Sequence, residues 1–463
     1  MGFRNLWEGK HVECECVVSS ARRGRDYSIY TLTDGEAEIE MHSREFYKAG
    51  DAFLVKGIAA NERGFFVLKA EKVERRPEAY AAVLKKAEEN AGVEKEKFLA
   101  DGLMEKLRGR IELVARKLLA ARKLGRFVLL KFHNDADGVA GALALAKVLG
   151  KVQSHQQNSA LYRIADAMRD VNVIRYERSP LVIIVDCGSG EESREGLEIL
   201  KAGGAEIILI DHHPPEKGVE KFCSVFLSPW AVSEDEEASA YPAGYLCCEV
   251  ARACGKKDVE QLARIACAGD KSGIMPLSDE DREKALVIDY MATYAEFGNR
   301  LEFYEHALGE KELYSSILFQ ARERMERVKE EVGKLMKKRI EGPVAVYTVD
   351  FEKVSAREFP GKGKLTSRAF ELVMHEGAVV VLGFWEGGIS FRLTEDAVLR
   401  GINACRIIEA VKRKMGSLIE SGGGHGRAAS VKIRRGYTKE VLEEVIAQLQ
   451  ASQPQEKQAL QPS

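Results

Sequence analysis

The stretch "IILIDHHPPE" (207–216) runs four aliphatic residues into an acid, two imidazoles and two prolines. Consecutive apolar side chains fit a strand covered on both faces, not one with a wet side. Two earlier runs have the same form. "RFVLLKF" (126–132) leads into "HNDADG" (133–138), and "LVIIVD" (181–186) leads into "CGSG" (187–190). Each polar turn is followed by residues of helical period, the pattern of a parallel α/β sheet with helices on both faces. The three strands therefore hand over His133, Asp135 and Asp137, then Asp186, then Asp211, His212 and His213. In open parallel sheets the ligand crevice lies beyond the carboxyl ends of the strands.

Each of these residues also has an ordinary role: Asp135 or Asp137 as a helix N-cap, Asp186 as a turn acid, His212 or His213 as a surface imidazole. Taken together, aspartates crowded at one sheet edge repel one another, and cations resolve the repulsion. Oxygen and nitrogen donors without thiolate suit Mn²⁺ or Mg²⁺ better than a structural zinc. So many carboxylates point to two ions, an arrangement that activates water and stabilises a leaving oxygen in phosphoester hydrolysis.

The rest of the chain frames this sheet. With 463 residues, 45% of them hydrophobic, it exceeds one ordinary core and suggests about three domains. Its 70 basic and 72 acidic side chains leave a net charge of -2, so any anion site must be local. Nine cysteines without paired zinc-ribbon spacing read as reduced, mostly buried thiols. No signal h-region and no bilayer-length apolar run is present, so a cytoplasmic location without membrane contact is expected.

Residues 1–76 hold five short alternating runs, expected to close as a small OB-like β-barrel. Between the first two runs, "SSARRGRD" (19–26) presents Arg22, Arg23 and Arg25. With Tyr27 and Phe65 this loop could grip a single strand, or equally be a solvated turn. Residues 77–125 read as a helical connector, 126–277 as the catalytic α/β domain, and 278–342 as a helical insert. The insert carries Leu313, Ile317 and Leu318 amid charge, a candidate partner-docking face. A smaller α/β unit follows over 343–450, and 451–463 reads as a disordered tail. Within the smaller unit, "SGGGHGRAAS" (421–430) sets Gly422, Gly423 and Gly424 before His425. Glycines let backbone N–H groups approach a phosphate closely.

These motifs resemble the DHH phosphoesterase family, whose triplet is matched by Asp211, His212 and His213, its first motif by "HNDADG" and its second by Asp186. Its fourth motif is matched by Asp270 in "CAGDKSG" (267–273), which the residues alone do not single out. The resemblance implies that Asp137, Asp186, His212 and Asp270 hold one metal, while His133 and Asp135 share Asp186 with the other. It implies that Asp211 acts from behind the ligands and that His213 faces the scissile phosphate. The smaller unit resembles the DHH-associated domain, with Arg368, Arg392, Gly422, Gly423, Gly424 and His425 at phosphate-binding positions. Across the chain the layout is most similar to RecJ-like single-strand exonucleases, in particular the archaeal nucleases associated with the GINS replication complex. In bacterial RecJ an aspartate stands where His133 does, and the oligonucleotide-binding fold follows the catalytic core. The implied function is a two-metal exonuclease of replication and repair, digesting single-stranded DNA 5′ to 3′, with RNA as a further substrate and GINS as partner through the insert. Two other functions share the motifs: a phosphodiesterase of short oligoribonucleotides or cyclic dinucleotides, and a non-catalytic replisome scaffold.

Overall fold

The computed structural model describes residues 2–95, 102–294, 300–340, 343–355 and 359–452. Apart from Ala451 and Ser452, the expected tail lies outside them. Five strands, β1 (His11–Arg23), β2 (Ser28–Thr33), β3 (Glu38–Ser43), β4 (Ala52–Glu62) and β5 (Phe65–Arg75), close into a barrel in the order β1-β2-β3-β5-β4. Neighbouring strands are antiparallel except β3 and β5. Alternation turns Tyr30, Leu32, Met41, Phe53 and Leu68 into the barrel core. Two helices follow, α1 (Ala79–Glu89) and α2 (Gly102–Lys123).

The next sheet is built from β6 (Val128–His133), α3 (Ala136–Leu149), β7 (Gln153–Gln157), α4 (Ile164–Ile174), β8 (Leu181–Val185), α5 (Arg194–Ala202), β9 (Glu206–Ile210) and β10 (Val225–Leu227), then α6 (Ala243–Ala253) and α7 (Glu260–Gly269). The strands are parallel in the order β10-β9-β8-β6-β7. Every side chain of β8 is fully buried, as its unbroken apolar run requires. The chain leaves β6 for β7 on one side and returns to β8 on the other, so strand order reverses between β6 and β8. That reversal opens a crevice at the carboxyl edge.

Three helices come next, α8 (Asp279–Tyr294), α9 (Glu302–Gly309) and α10 (Lys311–Leu335). The expectation of helix through residue 340 is corrected by β11 (Lys337–Ile340), which pairs antiparallel with β12 (Ala345–Asp350). Helical charge patterning in "KKRI" hides an edge strand, where cationic side chains also discourage further pairing. The remaining elements are α11 (Lys362–Val373), β13 (Val379–Trp385), β14 (Gly388–Leu393), α12 (Glu395–Leu399), α13 (Ala404–Met415), β15 (Ile419–His425), β16 (Ala428–Ile433) and α14 (Thr438–Ala451). Their sheet has the order β11-β12-β13-β14-β16-β15, and only β12 and β13 run parallel. Apolar cores cover both of its faces. The chain divides into two compact units, one from residues 1–288 and 296–306, the other from 289–295 and 307–463.

Candidate metal centre

The carboxyl ends of β6, β8 and β9 converge as their sequences imply. His133 ends β6, and Asp135 caps α3 by accepting from the Gly138 N–H at 3.0 Å. The N-cap reading of Asp135 thus holds for one oxygen, while the other lies 2.8 Å from His133 Nδ1. Asp137 is fully buried one residue into α3. Its oxygens accept from the Ala243 N–H at 2.9 Å and the Gly244 N–H at 2.8 Å, at the start of α6. A Cβ at position 244 would stand 2.5 Å from the Asp137 carbonyl oxygen and 2.7 Å from its Oδ1, so only glycine permits this approach.

Asp186 follows β8 with a left-handed backbone, φ +58. A non-glycine residue held there stores about 1–3 kcal/mol of strain, which collects at functional sites. Its Oδ2 lies 3.3 Å from His133 Nδ1. Its Oδ1 is buried and has no hydrogen-bond partner among the described residues, with imidazole nitrogens of His212 and His213 at 3.5 and 3.6 Å. His212 Nδ1 faces the Ser239 carbonyl at 3.0 Å, which makes that nitrogen the donor and turns Nε2 toward Asp270 at 3.0 Å. Trp230 Nε1 donates to the His212 carbonyl at 2.8 Å and steadies the same turn.

Three groups of potential ligand atoms result: His133 with Asp135 and Asp186; Asp137 with His212 and Asp270; and Asp186 with His212 and His213. Asp186 and His212 each belong to two of them. Asp211 stands apart. Its fully buried carboxylate accepts from the Ser189 N–H and hydroxyl at 3.1 and 2.6 Å, and from the His213 N–H at 3.1 Å, and faces His213 Nδ1 at 2.8 Å. Sequence reading missed the Ser239 carbonyl and the amides of Ala243 and Gly244, because backbone donors and acceptors leave no residue signature, and it missed the Ser189 hydroxyl and the Trp230 indole, because such residues are common in turns.

The electrostatics separate these acids. Burial, then the nearby charge of Asp135, pushes Asp186 up to about 7 despite opposing help from the histidines. Burial, then Asp186 and Asp270, raises Asp137 well above the carboxylate range. For Asp211 burial also raises, but His213 and Ser189 outweigh it and hold the group at about 2. Burial would lower His133 and His212, yet their aspartate neighbours raise both well above the usual imidazole value. Protons stand in for missing positive charge, and the orphaned Asp186 oxygen asks for a cation. Hard oxygen and imidazole donors without thiolate fit divalent Mn²⁺ or Mg²⁺.

In the second unit, Arg392 on β14 donates to the Ser367 hydroxyl at 3.2 Å and to the Phe391 carbonyl at 2.8 Å. Among the described residues no carboxylate pairs with it, and burial lowers its pKa. Arg368 on α11 instead pairs with Glu371 at 2.6 Å. Gly422, Gly423, Gly424 and His425 lie in β15, an edge strand, and not in a loop. Lys412 donates to the Gly422 carbonyl at 3.1 Å. On the barrel the expected loop at 19–26 is shorter: residues 19–23 belong to β1, so Arg22 and Arg23 lie on a strand and only Arg25 lies in the turn; Arg22 pairs with Glu40 at 2.8 Å, while Arg23 and Arg25 are exposed. Tyr27 stacks on His42 with ring centres 4.7 Å apart, and Phe65 is 72% exposed.

Residues 127–269 match the DHH family, N-terminal domain. An uncharacterized protein of Methanocaldococcus jannaschii is 24% identical, over 93% of this chain and 67% of that protein. Among solved structures, the DHH domain of a member of the s1p family of ribosomal proteins superposes with a TM-score of 0.70 at 23% identity, covering 80% of this chain and 98% of that one. RecJ from Thermus thermophilus, solved in complex with Mn²⁺, gives a TM-score of 0.54 at 16% identity. It covers 80% of this chain, which spans 59% of that structure. No helix among the described residues is long and apolar enough to cross a membrane. Residues 127–269, which carry the parallel sheet and all of its acidic, histidine-rich crevice except Asp270, thus match the DHH family's N-terminal domain, and the fold is similar to that of RecJ.

Proposed function

We propose that this chain is a two-metal phosphodiesterase that removes nucleotides from the end of single-stranded DNA, with RNA as a second substrate. The observation that supports the reading is the sharing of Asp186 and His212 among three groups of potential ligand atoms, as two neighbouring cations would require. His133, Asp135 and Asp186 would hold one ion, and Asp137, Asp186, His212 and Asp270 the other. Bound there, two divalent ions supply a nucleophilic water and neutralise charge on the phosphoryl oxygens. His213, with Nδ1 pinned by Asp211, turns Nε2 to the phosphate and delivers a proton toward the leaving oxygen. Arg392, which has no acid partner among the described residues, supports a role for the second unit in holding substrate phosphate with Gly422, Gly423, Gly424 and His425, and Arg368 joins them once released from Glu371.

The test is digestion of end-labelled DNA and RNA strands, and of a dinucleotide, with Mn²⁺, with Mg²⁺ and with chelator. Metal-dependent shortening of long strands from the 5′ end supports the reading. Turnover confined to the dinucleotide identifies a small-substrate phosphodiesterase, and no turnover with any metal identifies a scaffold. The same reading assigns residues 278–342 to partner docking, with GINS as the expected partner. Leu313 and Phe319 on α10 are 40% and 68% exposed, while Leu318 turns inward. Deletion of the segment should abolish a GINS pull-down.

A further inference from the structure

The helix α4 joins two parts of the first unit that the functional reading keeps separate. Its amino end follows the loop after β7, at the carboxyl edge of the sheet. There the Asn134 N–H donates to the Gln157 carbonyl at 3.0 Å, and the Gly188 N–H donates to the Ala160 carbonyl at 2.9 Å. That loop is therefore tied to the turns carrying His133 and Asp186. The other end of α4 leads through residues 175–180 to the opposite edge, where β8 begins. A Cβ at Gly50, in the barrel turn between β3 and β4, would lie 3.7 Å from the Cβ of Arg178. The helix has 11 residues, about 16 Å of rise.

What α4 shows to solvent is unusual for a helix with a buried face. Ile164 and Met168 are 53% and 52% exposed, and Tyr176 is 83% exposed with the Arg175 guanidinium 4.6 Å from its ring centre. Arg169, Arg175 and Arg178 are exposed, against one exposed acid in the same stretch, Glu177. The other acids face inward and are satisfied: Asp170 bonds Lys131 and Tyr162, and Asp166 bonds Gln157 and pairs with Arg169, which leaves Arg175 and Arg178 as the strip's stronger phosphate contacts. Helix α5, packed beside α4, exposes Arg194, Glu195, Glu198 and Lys201, so the border of the basic strip carries both signs of charge.

We propose that the outer face of α4 and the turn after it form a track for single-stranded nucleic acid between the barrel and the metal centre. This rests on the proposed function and adds the route of the strand. Arginines in an extended row match a phosphodiester chain, and Tyr176 with its stacked guanidinium, then Met168 and Ile164, offer flat and apolar surface to bases.

The test compares the parent protein with Arg175→Ala/Tyr176→Ala/Arg178→Ala. All three side chains are exposed, and equal melting temperatures will show that the fold is kept. Fluorescence anisotropy with a labelled 16-nucleotide oligo-dT in chelator reads binding, and hydrolysis of a thymidine dinucleotide with Mn²⁺ reads the centre. The expected result is about tenfold weaker binding of the long strand, with dinucleotide turnover unchanged. The slope of log affinity against log salt should fall by about 1.4, since each lost phosphate contact on a single strand removes about 0.7. Equal long-strand affinity and equal slope in parent and variant overturn the track while leaving the catalytic reading intact. If the parent binds no strand yet hydrolyses the dinucleotide, the single-strand reading fails and the track with it. A variant that keeps strand binding but loses a co-purifying protein overturns the track in favour of protein docking.

Discussion

Asp211→Asn is the most informative single change, because it alters one atom and leaves the shape. The carboxylate accepts at both oxygens, from the Ser189 N–H and hydroxyl on one side and from the His213 N–H and imidazole on the other. An amide has one acceptor oxygen, so its NH₂ must face one of these sides, and either choice sets it against a backbone N–H. A buried donor left unpaired costs about 1–3 kcal/mol. The lost charge gives a second measure: the gap between 3.8 and about 2, at about 1.36 kcal/mol per pH unit, is about 2 kcal/mol. The two overlap, since those hydrogen bonds help hold the acid low, so the expected loss at pH 7 is about 2–3 kcal/mol. A depressed acid contributes above its unfolded value and loses that contribution as pH falls through its folded one. The gap between parent and variant should therefore narrow from about pH 4 down to about pH 2. Urea titrations in chelator at pH 7 and pH 3 measure it. Hydrolysis should fall about 10- to 100-fold, as for residues that orient a site from behind, with both metals still bound in calorimetric titration. A variant as stable as the parent at pH 7 would refute the hydrogen-bond argument, and loss of one bound metal would make Asp211 a ligand.

Asp186→Ala should abolish hydrolysis and metal binding together, because that carboxylate belongs to two ligand groups; an active, metal-replete variant would sink the two-ion mechanism. Its pH behaviour runs opposite to that of Asp211. With a folded value raised to about 7, the metal-free protein should lose stability as pH climbs from about 4 to about 7, and Mn²⁺ should cancel the loss; flat melting temperatures across that range would contradict it. Gly244→Ala forces a Cβ against Asp137 and should cost about 1–3 kcal/mol while weakening metal affinity, both readable by thermal melts with and without Mn²⁺. Arg392→Ala should raise KM and spare kcat and metal content, so a drop in metal stoichiometry would remove the second unit from substrate binding.

How far the sequence reveals this molecule depends on what each element must bury. Strands β6, β8 and β9 are legible because both of their faces are covered, which forces unbroken apolar runs. The edge strand β7, "QSHQQ", has no such demand, and its polar residues carry no strand signal. β11 is hidden by a charge pattern shared with the helix before it. Within the site, Asp135, Asp137, Asp186, His212 and His213 stand out because they interrupt apolar runs at strand ends. Asp270 closes α7 in a turn that looks like any other, and only the resemblance to a family picks it out. The glycine run at 422–424 suggests a loop, yet it forms β15, since glycine in a short edge strand is tolerated where its partner β16 supplies the apolar contacts.

The distribution of the ligands along the chain bears on how the protein lives and dies. Residues from 133 to 270 meet only when β6, β8, β9 and α7 have all taken their places, so no partly folded chain offers the complete site. An ion that recognises this site binds the native state alone, and a concentration about 1,000 times its dissociation constant adds about 4 kcal/mol against unfolding. On the proposed function, metal supply in the surrounding solution would set not only turnover but the rate at which proteases find the chain open. Starved of divalent ions, the same sequence should be cleared sooner.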